Sequence, residues 1–315
     1  MSAPLPRSAA TAAPTSHLII AFAALYLIWG STYLGMAIAI ETMPPFLMAA
    51  ARFVVAGGIL FVVRRLLGDP WPSAQHWRSA AIVGSLLFVG GNGMVCWGQH
   101  WVPSGIAALL ITTTPFWMIM LPWFAGRSPR PSVVVMSGIS LGLIGVGVLV
   151  AAPVEKGHGN AASTTMLISG SLAIVGASLS WALGSLWSKS LPLPATLWMS
   201  SATQMLSGAA GLTLAALVSG EVTSLDLGAI SLRSWLALTY LILVGAILGF
   251  GAYVYLLRHT TMARVSTYAF VNPVVAVLLG WLVLDEPLSG RTVIAGALII
   301  VAVMLILRRS ASAPR

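Results

Sequence analysis

Charge is scarce in this chain. Only 7% of its 315 residues are charged and only seven are acidic, against 58% hydrophobic, so polar groups cannot cover a soluble globule of this size. Cysteine is nearly missing. Cys96 stands alone beside Trp97 in an apolar run, which excludes a disulfide framework and a cysteine metal site and leaves packing as its role. The five histidines are scattered, and neither HExxH nor GxSxG occurs, so nothing points to catalytic residues, a metal site or a cofactor. No apolar run holds Asp or Glu in its interior, which removes the usual side chains of a proton relay. Glu41 and His100, near the ends of such runs, can titrate but do not bridge a membrane. Facilitated transport or exchange is therefore expected over a strongly proton-driven pump.

Apolar length is what the chain has in quantity. A membrane-spanning helix needs about 20 mostly apolar residues, and ten such segments are expected near 18–39, 46–66, 78–98, 104–124, 132–152, 166–187, 195–218, 234–257, 262–284 and 290–308. They are continuously apolar rather than alternating, unlike barrel strands. Residues 1–17, rich in Ala, Pro, Ser and Thr, read as a disordered tail. Ala37-Ile38-Ala39 mimics a signal-cleavage box, but the apolar run before it is too long for a signal peptide, so the first span is expected to be retained.

The net charge of +9 does not imply nucleic acid, because basic residues occur in twos and threes at span ends. With the N-terminus inside, Arg7, Arg64, Arg65, Arg78, Arg127, Arg130, Lys189, Arg258, Arg264, Arg308, Arg309 and Arg315 fall on the cytoplasmic side. Lys156, Arg233 and Arg291 fall outside, together with Glu41, Glu155, Glu221, Asp226, Asp285 and Glu286; Asp69 stays within. Cytoplasmic loops carry such an excess of Lys and Arg. Both termini are then cytoplasmic.

One pattern of spans is written twice. Trp77, Gly91, Gly93, Pro115, Trp123, Pro129 and Gly138 return 158 residues later as Trp235, Gly249, Gly251, Pro273, Trp281, Pro287 and Gly296. Random pairing of 12 Trp gives roughly 0.1 Trp coincidences in such a window, and two occur. The expected organisation is an all-α membrane protein with a tail at 1–17, a first five-helix repeat at 18–152, a linker at 153–165, a second repeat at 166–308 and a tail at 309–315. Five is odd, so the second repeat enters the membrane inverted, an arrangement that places a substrate path at the repeat interface and permits alternating access.

Several motifs occur in order: Tyr26-Leu-Ile-Trp-Gly-Ser-Thr-Tyr33, Pro44-Pro-Phe-Leu-Met-Ala-Ala-Ala-Arg-Phe53, Ser180-Trp-Ala-Leu-Gly-Ser-Leu-Trp187, Asn272-Pro273 and Leu284-Asp-Glu-Pro-Leu288. In these the chain resembles EamA-type permeases of the drug/metabolite transporter superfamily, including its YddG-like and YedA-like exporters, from about residue 18 to 308. The resemblance implies a ten-helix inner-membrane carrier with a central cavity, exporting amino acids or other small metabolites. Its partners are then a small-molecule substrate and the bilayer, with no nucleic acid. A multidrug or nucleotide-sugar carrier would need a larger cavity or more basic residues facing it. A membrane-embedded enzyme or a sensor is the alternative of another class, and the missing motifs weigh against the enzyme.

Pro115 and Pro273 occupy matching places in the two repeats. Each removes a backbone hydrogen bond, leaving Ile111 and Ala269 without their usual partner, and broken backbone persists in a bilayer where protein or a water-filled cavity satisfies it. They are candidates for kinks that border the path; the plain alternative is a kink that shapes packing. Arg52 is the only charge well inside a span, and such a charge faces a bundle interior or cavity. Substrate contact and a structural role are both open to it. The remaining cavity candidates are Trp29, Ser31, Thr32 and Tyr33; Asn92, Trp97, Gln99, His100 and Trp101; Thr113 and Trp117; Trp181, Ser185, Tyr253, Tyr268 and Asn272. Trp71, Trp77, Trp101, Trp198 and Trp235, near span ends, read first as an interfacial belt. Gly90, Gly91 and Gly93 suit close helix approach rather than a phosphate loop. The Gly138-xxx-Gly142 spacing is too common in a chain with 31 glycines to imply an oligomer, and a monomer suffices.

Overall fold

The structure, a computed structural model, describes residues 14–150, 164–260 and 268–310. Most of both tails, most of the expected linker and the expected start of the ninth span at 262–267 lie outside the described residues. Every regular element among the described residues is helical. In lipid this is the economical solution, since a helix satisfies its backbone within one segment.

We label the helical rods in chain order. They are α1 Thr15–Ala39, α2 Pro45–Leu66, α3 Ala74–Gly98, α4 Ser104–Phe124, α5 Val133–Val150, α6 Thr164–Trp187 and α7 Leu197–Val218. The next, α8, runs through Leu232–Tyr240, Leu241–Leu248 and Gly249–His259, and α9 is Tyr268–Leu284 and α10 Gly290–Ser310. Among the described residues, seven segments are long and apolar enough to cross a membrane: α1 to α4, Thr165–Trp187 of α6, α7, and Leu232–Tyr253 of α8. Val133–Gly145, Val271–Leu284 and Gly290–Ala302 are shorter apolar helices among the described residues. The boundaries follow local chemistry. Extended Pro44 precedes Pro45 at the start of α2, Ser73 and His76 form a capping box for α3, and Thr196 and Ser231 cap α7 and α8 with their hydroxyls.

The packing partners form a regular scheme. α2 packs on α7, α4 on α9 and α5 on α10. α1 packs on α8 and α9, and α6 on α3 and α4; α3 also meets α7, as α8 meets α2. Adding five to each of these helix numbers, modulo ten, returns the same pairs; α1 also packs on α4 and α2 on α3, outside this set. The paired helices run antiparallel. Gly145 of α5 abuts Ile299 and Ala295 while Gly142 abuts Ala302, and Glu221 after α7 holds the start of α2. The Gly138-xxx-Gly142 stripe thus serves, through Gly142, a contact inside the chain. Leu110, Ile174, Leu212 and Leu241, from four different helices, are completely buried, whereas Ile20, Leu27, Val62, Leu172 and Leu282 are exposed on an apolar exterior suited to lipid.

Two helices are locally widened. Ser85–Gly93 of α3 and Leu241–Leu248 of α8 take the π form, in which each hydrogen bond spans five residues rather than four. The carbonyl of Leu86 accepts the hydroxyl of Ser180 from α6 at 2.7 Å. Gly90 provides the room, since a Cβ there would collide with Ser180.

Candidate functional site

The break in α4 lies just before Pro115. The helix stops at Ile111 and resumes at Thr114, and three successive hydroxyls cover the interrupted backbone. Thr112, Thr113 and Thr114 donate to the carbonyls of Leu109, Leu110 and Ile111 at 2.5, 2.8 and 2.8 Å. Thr114 therefore satisfies the carbonyl that Pro115 leaves without an N–H donor. Thr113 also meets Ser178 of α6 at 2.5 Å. Pro273 is buried inside α9, which continues through it without a break. Phe270, Val271 and Asn272 stand immediately before it, where Pro115 has three threonines. The close approach there is to α1: a Cβ on Gly30 would stand 2.6 Å from Val275 Cβ and 3.2 Å from the carbonyl of Asn272.

Trp29, Tyr253 and Tyr268 come together from α1, α8 and α9. Trp29 lies 5.1 Å from Tyr253 and 5.2 Å, edge-on, from Tyr268, and the two tyrosines are 6.4 Å apart. Phe250 and Trp198 extend the cluster at 5.9 and 6.2 Å between successive rings. Such tilted and edge-to-face pairs suit the ring quadrupoles. Trp198, expected in an interfacial belt, has its Cη2 3.1 Å from where a Cβ on Gly251 would stand, while Trp71 and Trp235 are exposed.

One turn along α8 stands a polar group. The side chains of Thr32 and Arg52 both touch Gly245, lying 3.1 and 3.3 Å from where its Cβ would stand. Ser31 and Tyr240 share a 2.5 Å hydrogen bond between α1 and α8, and Gln99 reaches from the end of α3 to the carbonyl of Tyr33 at 3.0 Å. Arg52 is buried with its Nε unpaired; Gln99 Oε1, Trp117 Nε1 and Asn272 Oδ1 are likewise buried without partners.

Other candidates are dispersed. Trp97 packs on Trp101 at 4.7 Å, and His100 is exposed beside them. Asn92 and Ser185 bond back to their own helices, to Leu87 and Trp181. Trp181 sits on Gly91, its Cε3 3.1 Å from where a Cβ would stand, as Trp29 sits on Gly249 at 2.7 Å. Gly91 and Gly249 are 158 residues apart, but Trp29 and Trp181 are 152 apart, so the second register is shorter ahead of the α7–α8 loop. Gly184 against Leu87 repeats Thr32 against Gly245 in these same two registers, with the small and large partners exchanged.

Three carboxylates join helices across the scheme. Glu221 takes the N–H groups of Phe46 and Leu47 at 3.2 and 2.9 Å, and Glu286 those of Ser104 and Gly105 at 2.6 and 3.0 Å. Asp69 accepts from Thr196, the N-cap of α7, while Arg64 in the last turn of α2 grips it from the other side of the contact. Asp69 and Glu221 are again 152 residues apart. Hydrogen bonds from Arg64 first, then Thr196, hold the Asp69 carboxyl below its ordinary range, whereas burial pushes Glu221 up. Only the charges of these three were legible in the sequence.

The EamA-like transporter family matches residues 16–151 and again residues 168–308. The chain belongs to this family. The EamA-like chain is 38% identical over 285 residues to YedA of Escherichia coli K12, described as an uncharacterized inner membrane transporter, covering 90% of this chain and 88% of that one. It is 27% identical over 282 residues to a probable amino-acid metabolite efflux pump of Salmonella typhimurium LT2, covering 87% and 89%. A crystal structure at 21% identity superposes with a TM-score of 0.60 over 96% of this chain and all of the other, which shows the fold. The family and the apolar helices make this EamA-like chain a multi-pass transporter of the bacterial inner-membrane type.

Proposed function

We propose that the chain exports amino acids, neutral and aromatic ones foremost, and related small metabolites by alternating access between two oppositely inserted five-helix halves. Ten spans, cytoplasmic termini and repeats at 18–152 and 166–308 belong to this reading. The observation that carries it is the paired contact of Trp29 on Gly249 and Trp181 on Gly91, one relationship made once from each half. The antiparallel pairing of corresponding helices and the double family match support the inversion. The charge distribution supports the orientation.

For the substrate, the support is the aromatic group of Trp29, Tyr253 and Tyr268 beside the polar group at Gly245, a lining suited to a small amphipathic solute. The probable amino-acid metabolite efflux pump among the relatives agrees with it. Glu41, Asp69, Glu221 and Glu286 all lie outside the spans and are engaged in ion pairs or helix starts. This favours exchange or facilitated export.

The test is counterflow in proteoliposomes. Vesicles loaded with an unlabelled amino acid should transiently accumulate the labelled form, with neutral and aromatic amino acids leading a panel that includes acidic and basic ones. If no member of the panel moves, the reading falls.

A further inference from the structure

Arg52 is an isolated cation. It is 6% exposed and lies two turns inside α2, and among the described residues no acid pairs with it and no acceptor takes a hydrogen bond from it. Its Nε is buried without a partner, and its guanidinium carbon stands 4.9 Å from the ring of its neighbour Phe53. A guanidinium has five N–H donors, and leaving them unused within a membrane-spanning helix is costly unless an anion or water meets them.

The second half supplies a control. Gln204 of α7 occupies the position 152 residues after Arg52, and its Nε2 is satisfied one turn back by the carbonyl and hydroxyl of Ser200 at 3.0 and 2.8 Å. Where Ser200 stands in the second half, the first half has Met48, 2% exposed and without a hydroxyl. The polar residue of α7 is thus locally complete, and that of α2 is not.

The tip of Arg52 also faces the right place. It touches Gly245 beside Thr32; one turn further along α8, Gly249 carries Trp29, and one turn beyond that Tyr253 joins Trp29 and Tyr268. The guanidinium and the aromatic group are therefore separated by about 6 to 12 Å along one helix.

We propose that Arg52 binds the carboxylate of the transported molecule, whose apolar or aromatic part lies against Trp29, Tyr253 and Tyr268. The assignment rests on the carrier reading and adds a substrate class: solutes with a carboxylate at one end and an apolar group at the other. The carboxylate accepts hydrogen bonds from the guanidinium, and the rings receive the apolar end.

Calorimetric titration of the purified full-length protein with L-phenylalanine, 3-phenylpropionate and L-phenylalaninamide tests this. The wild type should bind both carboxylates about tenfold or more tightly than the amide. Arg52→Gln should abolish that preference and Arg52→Lys keep part of it, whereas Gln204→Met should leave it unchanged. Equal binding of all three compounds by the wild type, absence of carboxylate binding, or an undiminished preference in Arg52→Gln would overturn the assignment. The wild-type comparison decides the matter even if Arg52→Gln fails to fold. Counterflow of phenylalanine and its amide at equal rates would remove the role of Arg52 and leave the carrier standing.

Discussion

The indole of Trp29 rests directly on Gly249, with Nε1 2.7 Å from the point a Cβ would occupy. Alanine at this position must displace a rigid ring that also holds Tyr253 and Tyr268. Gly249→Ala should destabilise the protein by about 1–3 kcal/mol, the usual cost of overpacking, and slow counterflow. Gly91→Ala, whose Cβ would meet Trp181 at 3.1 Å, should cost less. Thermal unfolding in detergent checks the order, and a larger loss in Gly91→Ala would contradict it.

Pro115 interrupts α4, and Thr114 covers the exposed carbonyl of Ile111. Pro115→Ala restores the missing N–H, so it should leave stability unchanged or raise it by up to about 3 kcal/mol, while exchange slows because the break is lost. Thr114→Val in the Pro115 background leaves that carbonyl bare and should destabilise by about 1 kcal/mol. Unaltered exchange in a stable Pro115→Ala protein would reduce the break to a packing feature.

Stability should respond to acid in two opposed steps. Glu221 is raised by burial, so the folded state holds its proton more tightly, and stability falls as pH rises from about 4.3 to the folded value. Asp69 is lowered by Arg64 and Thr196, so its contribution is present above about 3.9 and is lost as pH falls through its folded value. Unfolding temperature should therefore drop below about pH 4. Asp69→Asn should flatten that drop and Glu221→Gln the opposing step above it. An unchanged acid limb in Asp69→Asn would show that the hydrogen bonds from Arg64 and Thr196 to this carboxylate do not set it.

The fold was more legible than the site. The spacing of 158 between Trp, Gly and Pro residues was legible because it includes Gly91 and Gly249, where a Cβ would meet Trp181 and Trp29 and little but glycine fits. The earlier register of 152, which relates Trp29 to Trp181 and Asp69 to Glu221, has no gapless match with the later one and emerged only from contacts. Helices apolar all round carry no face signal, so the contact of Trp198 with Gly251 was not legible. The carboxylate caps escaped because Glu221 and Glu286 act on helices 174 to 182 residues away in sequence. Pro115 and Pro273 look equivalent in sequence, yet only α4 breaks, where threonines stand ready to cover the gap.

Alternating access is tested most directly by asking from which side of the membrane the site can be reached. Ser31 joins α1 to α8 through Tyr240, and Cys96 is the chain's only cysteine, so Ser31→Cys in a Cys96→Ala background offers one reactive thiol at the site. A membrane-impermeant thiol reagent should label it in both right-side-out and inside-out vesicles, and a transported amino acid should slow labelling from each side. Labelling from one side alone, whatever substrate is added, would contradict two halves that open the same site in turn.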